Sequence, residues 1–331
     1  ITLSDLDNVI RHASEYDKVR EDRLDSCRTA LTHSKTLEQR YLLYFTMRQT
    51  FDRYRTDSAT FYAVRSLDAA KELGRQDYIS ASSLALAKQY LTSGMSYDAL
   101  TTLNRVDRSA LSEKSREELY LFYMSIYESL EGLSIDQSLK QYYSSKASVY
   151  KDSIASQFPD NAVAKSERLL LEGDYKSALD VLLKKYASLS PESPENGPVA
   201  IAIADIYLSI GWNDAAKDYM IASAYSDIVN AKKEYVALRM LATMLYEDGD
   251  IKRAYSYLNK ALDDANFCKA RLKVDALAPL ISIVNESYID AKKKDLKILY
   301  VCMGMLCFLL LLMTVLLFVN KSQRRKLEVM K

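Results

Sequence analysis

The chain has 331 residues, enough for two ordinary domains or for one array that grows by addition. Only 8 Gly and 5 Pro are available for turns, too few for a sandwich, barrel or propeller, while 49% apolar residues supply a core, so an all-α chain is expected. Forty-five Lys and Arg against 44 Asp and Glu leave a net charge of +1, which disfavours nucleic-acid binding by this chain, and two histidines, His12 and His33, leave histidine-based metal sites almost without material.

In chain order, residues 3–34 read as an amphipathic helical hairpin, assigned here to an N-terminal cap over 1–36. From 37 to 265 the sequence repeats. Four segments carry a Gly followed five residues later by Ala: Gly94 to Ala99, Gly173 to Ala178, Gly211 to Ala216 and Gly249 to Ala254. With Ala59 and Ser138 added, six marks fall 38 to 40 residues apart, so six units are expected. In each, Gly ends a first helix because the closing position needs a left-handed backbone. The small residue then lets the second helix cross the first closely. One hairpin cannot bury its apolar face alone, so the units must stack into a solenoid. The one Pro-rich loop, 189–198, separates the fourth hairpin from the fifth.

After Ala265 a connector helix is expected over 266–297, bent at Pro279. Ile298 to Val319 follows, 22 residues without a charge, about 33 Å as a helix and long enough to cross a hydrocarbon core of about 30 Å. A basic stub closes the chain from 320 to 331. Flanking cations are nearly balanced, with Lys292, Lys293, Lys294 and Lys297 before the run and Lys321, Arg324, Arg325 and Lys326 after it, so charge alone does not orient it. The sequence opens at Ile1 without an initiator Met, for which a cleaved secretion signal and a fragment boundary are both explanations. The cysteines at 27, 268, 302 and 307 read as free thiols, because a straight stack of helices would hold Cys27 and Cys268 far beyond disulfide reach.

These repeats resemble the tetratricopeptide repeat, whose second helix carries a small residue preceded by a Gly-containing turn. Tyr90 and Tyr207 match the family's aromatic nine residues before that position, and Leu86, Ile203 and Leu241 its earlier leucine. The period is longer than the family's 34, and the early Trp and closing Pro are mostly absent. The resemblance implies a superhelical solenoid whose first helices line a concave groove for a protein or peptide. The family's groove offsets place Tyr41, Tyr44, Arg48, Lys88, Tyr120, Tyr123 and Tyr127 there, a cluster of five tyrosines and two cations suited to an interface. No nucleophile–base set, phosphate loop or metal spacing is visible, so neither an enzyme nor a cofactor is expected.

The order of repeat array, apolar run and basic helical continuation also resembles the membrane-tethered tetratricopeptide regulators of Gram-negative bacteria. That resemblance implies an inner-membrane, single-pass protein with a periplasmic repeat domain. Its cytoplasmic output, a DNA-binding one included, lies outside this chain, and a homodimer or larger membrane complex fits it. The alternative is a tail-anchored cytosolic scaffold or co-chaperone-like adaptor.

Overall fold

The computed structural model describes the backbone except at 159, 160, 234, 235, 270, 330 and 331, and the side chains except also those of 271–276, 278, 279, 318–320 and 322–329. Among the described residues there are fifteen α-helices and no strand. Two helices come first, α1 (Leu3–Arg11) and α2 (Ala13–Thr32). Six pairs follow: α3 (Leu37–Phe51) with α4 (Thr56–Leu73), α5 (Gln76–Thr92) with α6 (Ser96–Leu103), α7 (Glu113–Leu133) with α8 (Gln137–Gln157), α9 (Ala162–Leu171) with α10 (Tyr175–Ala187), α11 (Asn196–Ser209) with α12 (Asn213–Val229), and α13 (Val236–Glu247) with α14 (Ile251–Cys268). One long helix, α15 (Arg271–Val329), ends the chain. Each pair packs on the next, giving the tetratricopeptide-like solenoid.

The glycine turns share one geometry. At Gly94, Gly173, Gly211 and Gly249 the backbone is left-handed, with φ from 78° to 84°. In the third of these, the Gly211 amide donates to Leu208 O at 3.0 Å and the Trp212 amide to Tyr207 O at 2.8 Å, and the other three repeat the same two bonds. This double bond satisfies carbonyls that the helix end would otherwise leave bare. Five residues on, Ala99, Ala178, Ala216 and Ala254 are completely buried where the paired helices cross, as is Ala59 in the first pair, whose turn holds no glycine. Ser138 is different. It is exposed in the first turn of α8, where its amide and hydroxyl donate to the capping residue Asp136, so this mark is not a residue of the helix crossing.

Two expectations are corrected. Residues 1–36 are not a capping hairpin: only His12 separates α1 from α2, too short a link for an antiparallel return, and α1 instead lies on α12. The last connector does not begin after Ala265. Helix α14 runs on to Cys268, Lys269 turns left-handed at φ 59°, and α15 starts at Arg271. The bend expected at Pro279 and the cations at 324–326 fall on side chains outside the described residues.

Among the described residues one helix is long and apolar enough to cross a membrane, between Leu280 and Leu317, and its side chains from Ile298 to Leu317 are all exposed. Gly211→Ala should cost about 1–2 kcal/mol, the penalty of a left-handed backbone for a residue with a Cβ. Gly132→Ala should cost nothing comparable, because Gly132 lies within α7 with open space beside it. Paired urea melts of the two variants measure the difference.

Candidate binding groove and the seam that closes it

The first helices face a central cavity of about 1180 Å³. Its wall takes Gln49 and Asp52 from the first repeat, Lys88 from α5, Glu113, Lys114, Glu117 and Glu118 from α7, Asn161 to Val163 at α9, and Pro198 and Val199 from α11. Arg20 of α2 and Lys232 after α12 complete the wall, so both ends of the array contribute to one space. Its charges are largely paired in place. Lys88 reaches Asp52 at 2.5 Å, Lys185 reaches Glu195 at 2.9 Å, Lys232 donates to Pro194 O at 2.8 Å, and Asn161 donates to Glu117 at 2.7 Å. Burial pushes the Asp52 carboxyl up, but the Lys88 ammonium, with Arg48 and Gln89, outweighs it and holds the group below the ordinary value.

Of the seven residues placed in the groove by repeat offsets, Lys88 alone lines this cavity. Tyr41 is buried, with its ring stacked on Tyr78 at 4.0 Å. Arg48 is buried with its guanidinium 5.0 Å from the Phe45 ring, and burial lowers its affinity for the proton. Tyr123 is buried too, stacked on Tyr150 at 4.8 Å and donating to Asn104 at 3.0 Å. A partner in the groove would reach these three only by displacing their neighbours. Tyr44, Tyr120 and Tyr127 are half-buried, the first beside Tyr62 and the other two against Tyr150. In α7 the cavity uses residues 113–118, one to two turns before the expected face. The expected face of this helix depends on Ser138, which lies exposed in the first turn of α8 and not at the helix crossing.

The missed feature is long-range. The array turns far enough for its start to meet its end. Leu6 and Val9 of α1 and Ala13 at the start of α2 share a core with Met220, Ile221 and Leu258. Around that core runs a polar seam. Asp7 accepts from Arg253 at 2.9 Å and from the Tyr257 hydroxyl at 2.7 Å. Lys233, 4% exposed, lies between Asp17 at 2.8 Å and Asp264 at 3.2 Å, under the rings of Tyr54 and Phe267, while its amide donates to Arg53 O at 2.7 Å. Thr56 meets Cys268 at 3.3 Å and Asp57 accepts from Lys269 at 2.6 Å. Burial, then the Asp7 carboxylate, raise the Tyr257 hydroxyl well above its ordinary value. Cys27 and Cys268 remain free and buried, but the premise that a straight stack keeps them far apart does not hold, because both ends come to the same seam.

The profile of the SusR N-terminal TPR domain family matches residues 10–277, most of the chain. The chain belongs to this family. Its matched stretch starts inside α1 and ends inside α15, and so takes in Asp17, Asp57, Lys233 and Lys269 of the seam, while Asp7 precedes it. A similar solved structure is that of a signal-transduction ATPase with numerous domains and a tetratricopeptide repeat sensor from Pyrococcus horikoshii. It is 18% identical, with a TM-score of 0.44 and a match covering 86% of this chain and 44% of the other. This chain therefore spans less than half of that protein's length. No curated protein matches it. Among the described residues no three His, Cys, Asp or Glu side chains are grouped so as to hold a metal ion.

Lys233→Met leaves Asp17 without its cation, while Asp264 keeps Lys260 at 2.6 Å; it should cost about 3 kcal/mol, and adding Asp17→Asn should recover part of that loss in thermal melts. Tyr123→Ala should cost about 3–5 kcal/mol as a buried aromatic, and half-buried Tyr127 clearly less. Asp52 and Asp57 both titrate below the ordinary value of 3.8, Asp57 because Lys269 and Ser58 outweigh its burial. A depressed folded value stabilises above the unfolded value, so their contribution is present above pH about 4 and disappears as pH falls below it. Melting followed from pH 6 down to 3 checks that sign, and Asp57→Asn should flatten the slope.

Proposed function

We propose that this chain is the sensor and anchor of a membrane-tethered signalling protein. The repeat array takes a protein segment or peptide in its central cavity, and α15 carries the response across one membrane to an output outside this chain. The observation behind this reading is the position of the seam. The cavity wall is completed by residues from both ends of the array, and the same seam grips Cys268 and Lys269, the joint from which α15 departs. A ligand that favours one spacing of the cavity walls thereby favours one setting of that joint. Membership of a family named for an N-terminal domain supports an output downstream, a DNA-binding one among the candidates. The tetratricopeptide fold itself supports protein recognition.

On this reading the repeats lie in the periplasm, the helix over 298–319 crosses the inner membrane, and the basic residues after it lie in the cytoplasm. Lys176→Cys adds an exposed thiol to a chain whose cysteines at 27 and 268 are buried. An impermeant maleimide should label it in cells with only the outer membrane opened. Labelling that requires rupture of the inner membrane would place the array in the cytoplasm and favour a tail-anchored scaffold. A photo-crosslinking residue at Lys114, on the cavity wall, should capture a polypeptide that the same residue at Lys146, which does not line the cavity, does not; equal capture at both sites would count against the cavity.

A further inference from the structure

The turns inside each repeat lie on one edge of the array, since every one joins a first helix to an antiparallel second. Exposed apolar side chains crowd this edge: Tyr97, Leu133 and Ile135, Leu171 and Tyr175, and Trp212. Helix α15 leaves the array at the same edge. It runs back along α14, with Tyr288 stacked on Tyr255 at 3.9 Å and Asp295 at 3.3 Å from Lys252. Asp295 is thus level with the turn at Gly249. The uncharged run begins at Ile298, three residues farther, about 4.5 Å of helix rise.

The Gly211 turn adjoins that exit, because Lys217 pairs with Asp248. Trp212 stands five residues before Lys217, about 7.5 Å nearer the exit side. The seam fixes which turns lie closest. The turn edge of the first repeat, at Arg53 and Thr56, touches the opposite edge of the last repeats, at Lys233 and Cys268. Later repeats are therefore displaced toward the exit, and Tyr97 is the most distant of the row. Trp212 stacks one face on Tyr207, at 5.9 Å and 12°, yet remains 62% exposed. An indole with one face supported and its other face and N–H bare suits the boundary between headgroups and acyl chains. Exposed Lys293, Lys294 and Lys297 at the same level suit anionic headgroups.

We propose that the Gly211 turn, led by Trp212 with Tyr175 beside it, rests in the interface of the bilayer that α15 enters. This rests on reading α15 as a membrane span. The occupant is lipid because the turn lies at the level where α15 itself loses its charges. The orientation of the array is then held at two points, the helix and the rim, instead of swinging on the helix alone.

Trp212 is the sole tryptophan, so its emission reports this contact directly. The full chain is reconstituted into vesicles of phosphatidylethanolamine and phosphatidylglycerol. Trp212 emission should shift to the blue, be quenched by lipids brominated near the headgroup, and resist aqueous acrylamide. A companion chain with Trp212→Phe and Tyr97→Trp, its fold checked by circular-dichroism melting, should remain open to acrylamide and be little quenched by bromolipid. Flotation after carbonate treatment reports the span separately. Flotation without bromolipid quenching at Trp212, or with equal quenching at position 97, overturns the rim contact and leaves the span standing. A blue shift without bromolipid quenching would mean that protein, such as a second copy, covers the turn, and also overturns it. A chain that does not float defeats both readings.

Discussion

Lys233 takes an ammonium group into a nearly water-free place, and such a charge persists only where carboxylates and ring faces replace its hydration. Its partners come from α2 and α4's entry turn on one side and from α14 on the other, more than 200 residues away in sequence. The arrangement exists only if the solenoid has the curvature that brings its ends together. Curvature, in turn, sets the size of the central cavity and the side from which α15 departs. An open stack of the same hairpins would keep every local contact and lose all three properties.

Much of the fold was legible because its signals are local. In four of the six pairs a left-handed glycine is followed five positions on by the small residue at the helix crossing, and that combination is visible in a single stretch of sequence. Ser138 kept the spacing without the packing, so the face assigned to α7 shifted by one to two turns. Tyr41 and Tyr123 looked like interface residues because tyrosine serves surface and core alike. Stacking on Tyr78 and Tyr150 decides for the core, and those partners lie 37 and 27 residues away. The seam left no periodic trace at all. Asp7, Asp17, Lys233 and Arg253 read as ordinary solvated charges until the fold juxtaposes them.

The polar character of the seam distinguishes it from the other contacts in the array. Hairpin neighbours meet through alanine and leucine, while the two ends meet through ion pairs, a thiol–hydroxyl contact and a small apolar patch from α1. Apolar contacts between repeats tolerate no water and little sliding. Charged contacts can be exchanged for water at modest net cost when they lie near the surface. Exposed pairs of the closing contact, Asp57 with Lys269 among them, can therefore shift at modest cost, while buried Lys233 and the α1 patch hold the ends together at the root of the exit helix.

Sequence separation also dictates an order of events. Most contacts in this chain join neighbours along it, whereas the Asp7–Arg253 bond spans 246 residues. Local contacts form fast and distant ones late. During synthesis the first hairpins are complete long before residue 253 emerges, so α1 must wait with Leu6 and Val9 uncovered. By the time its docking surface on α12 to α14 exists, the apolar run that follows is the next segment to leave the ribosome. Closure of the array and completion of α15 are thus neighbouring steps in the biogenesis of this protein.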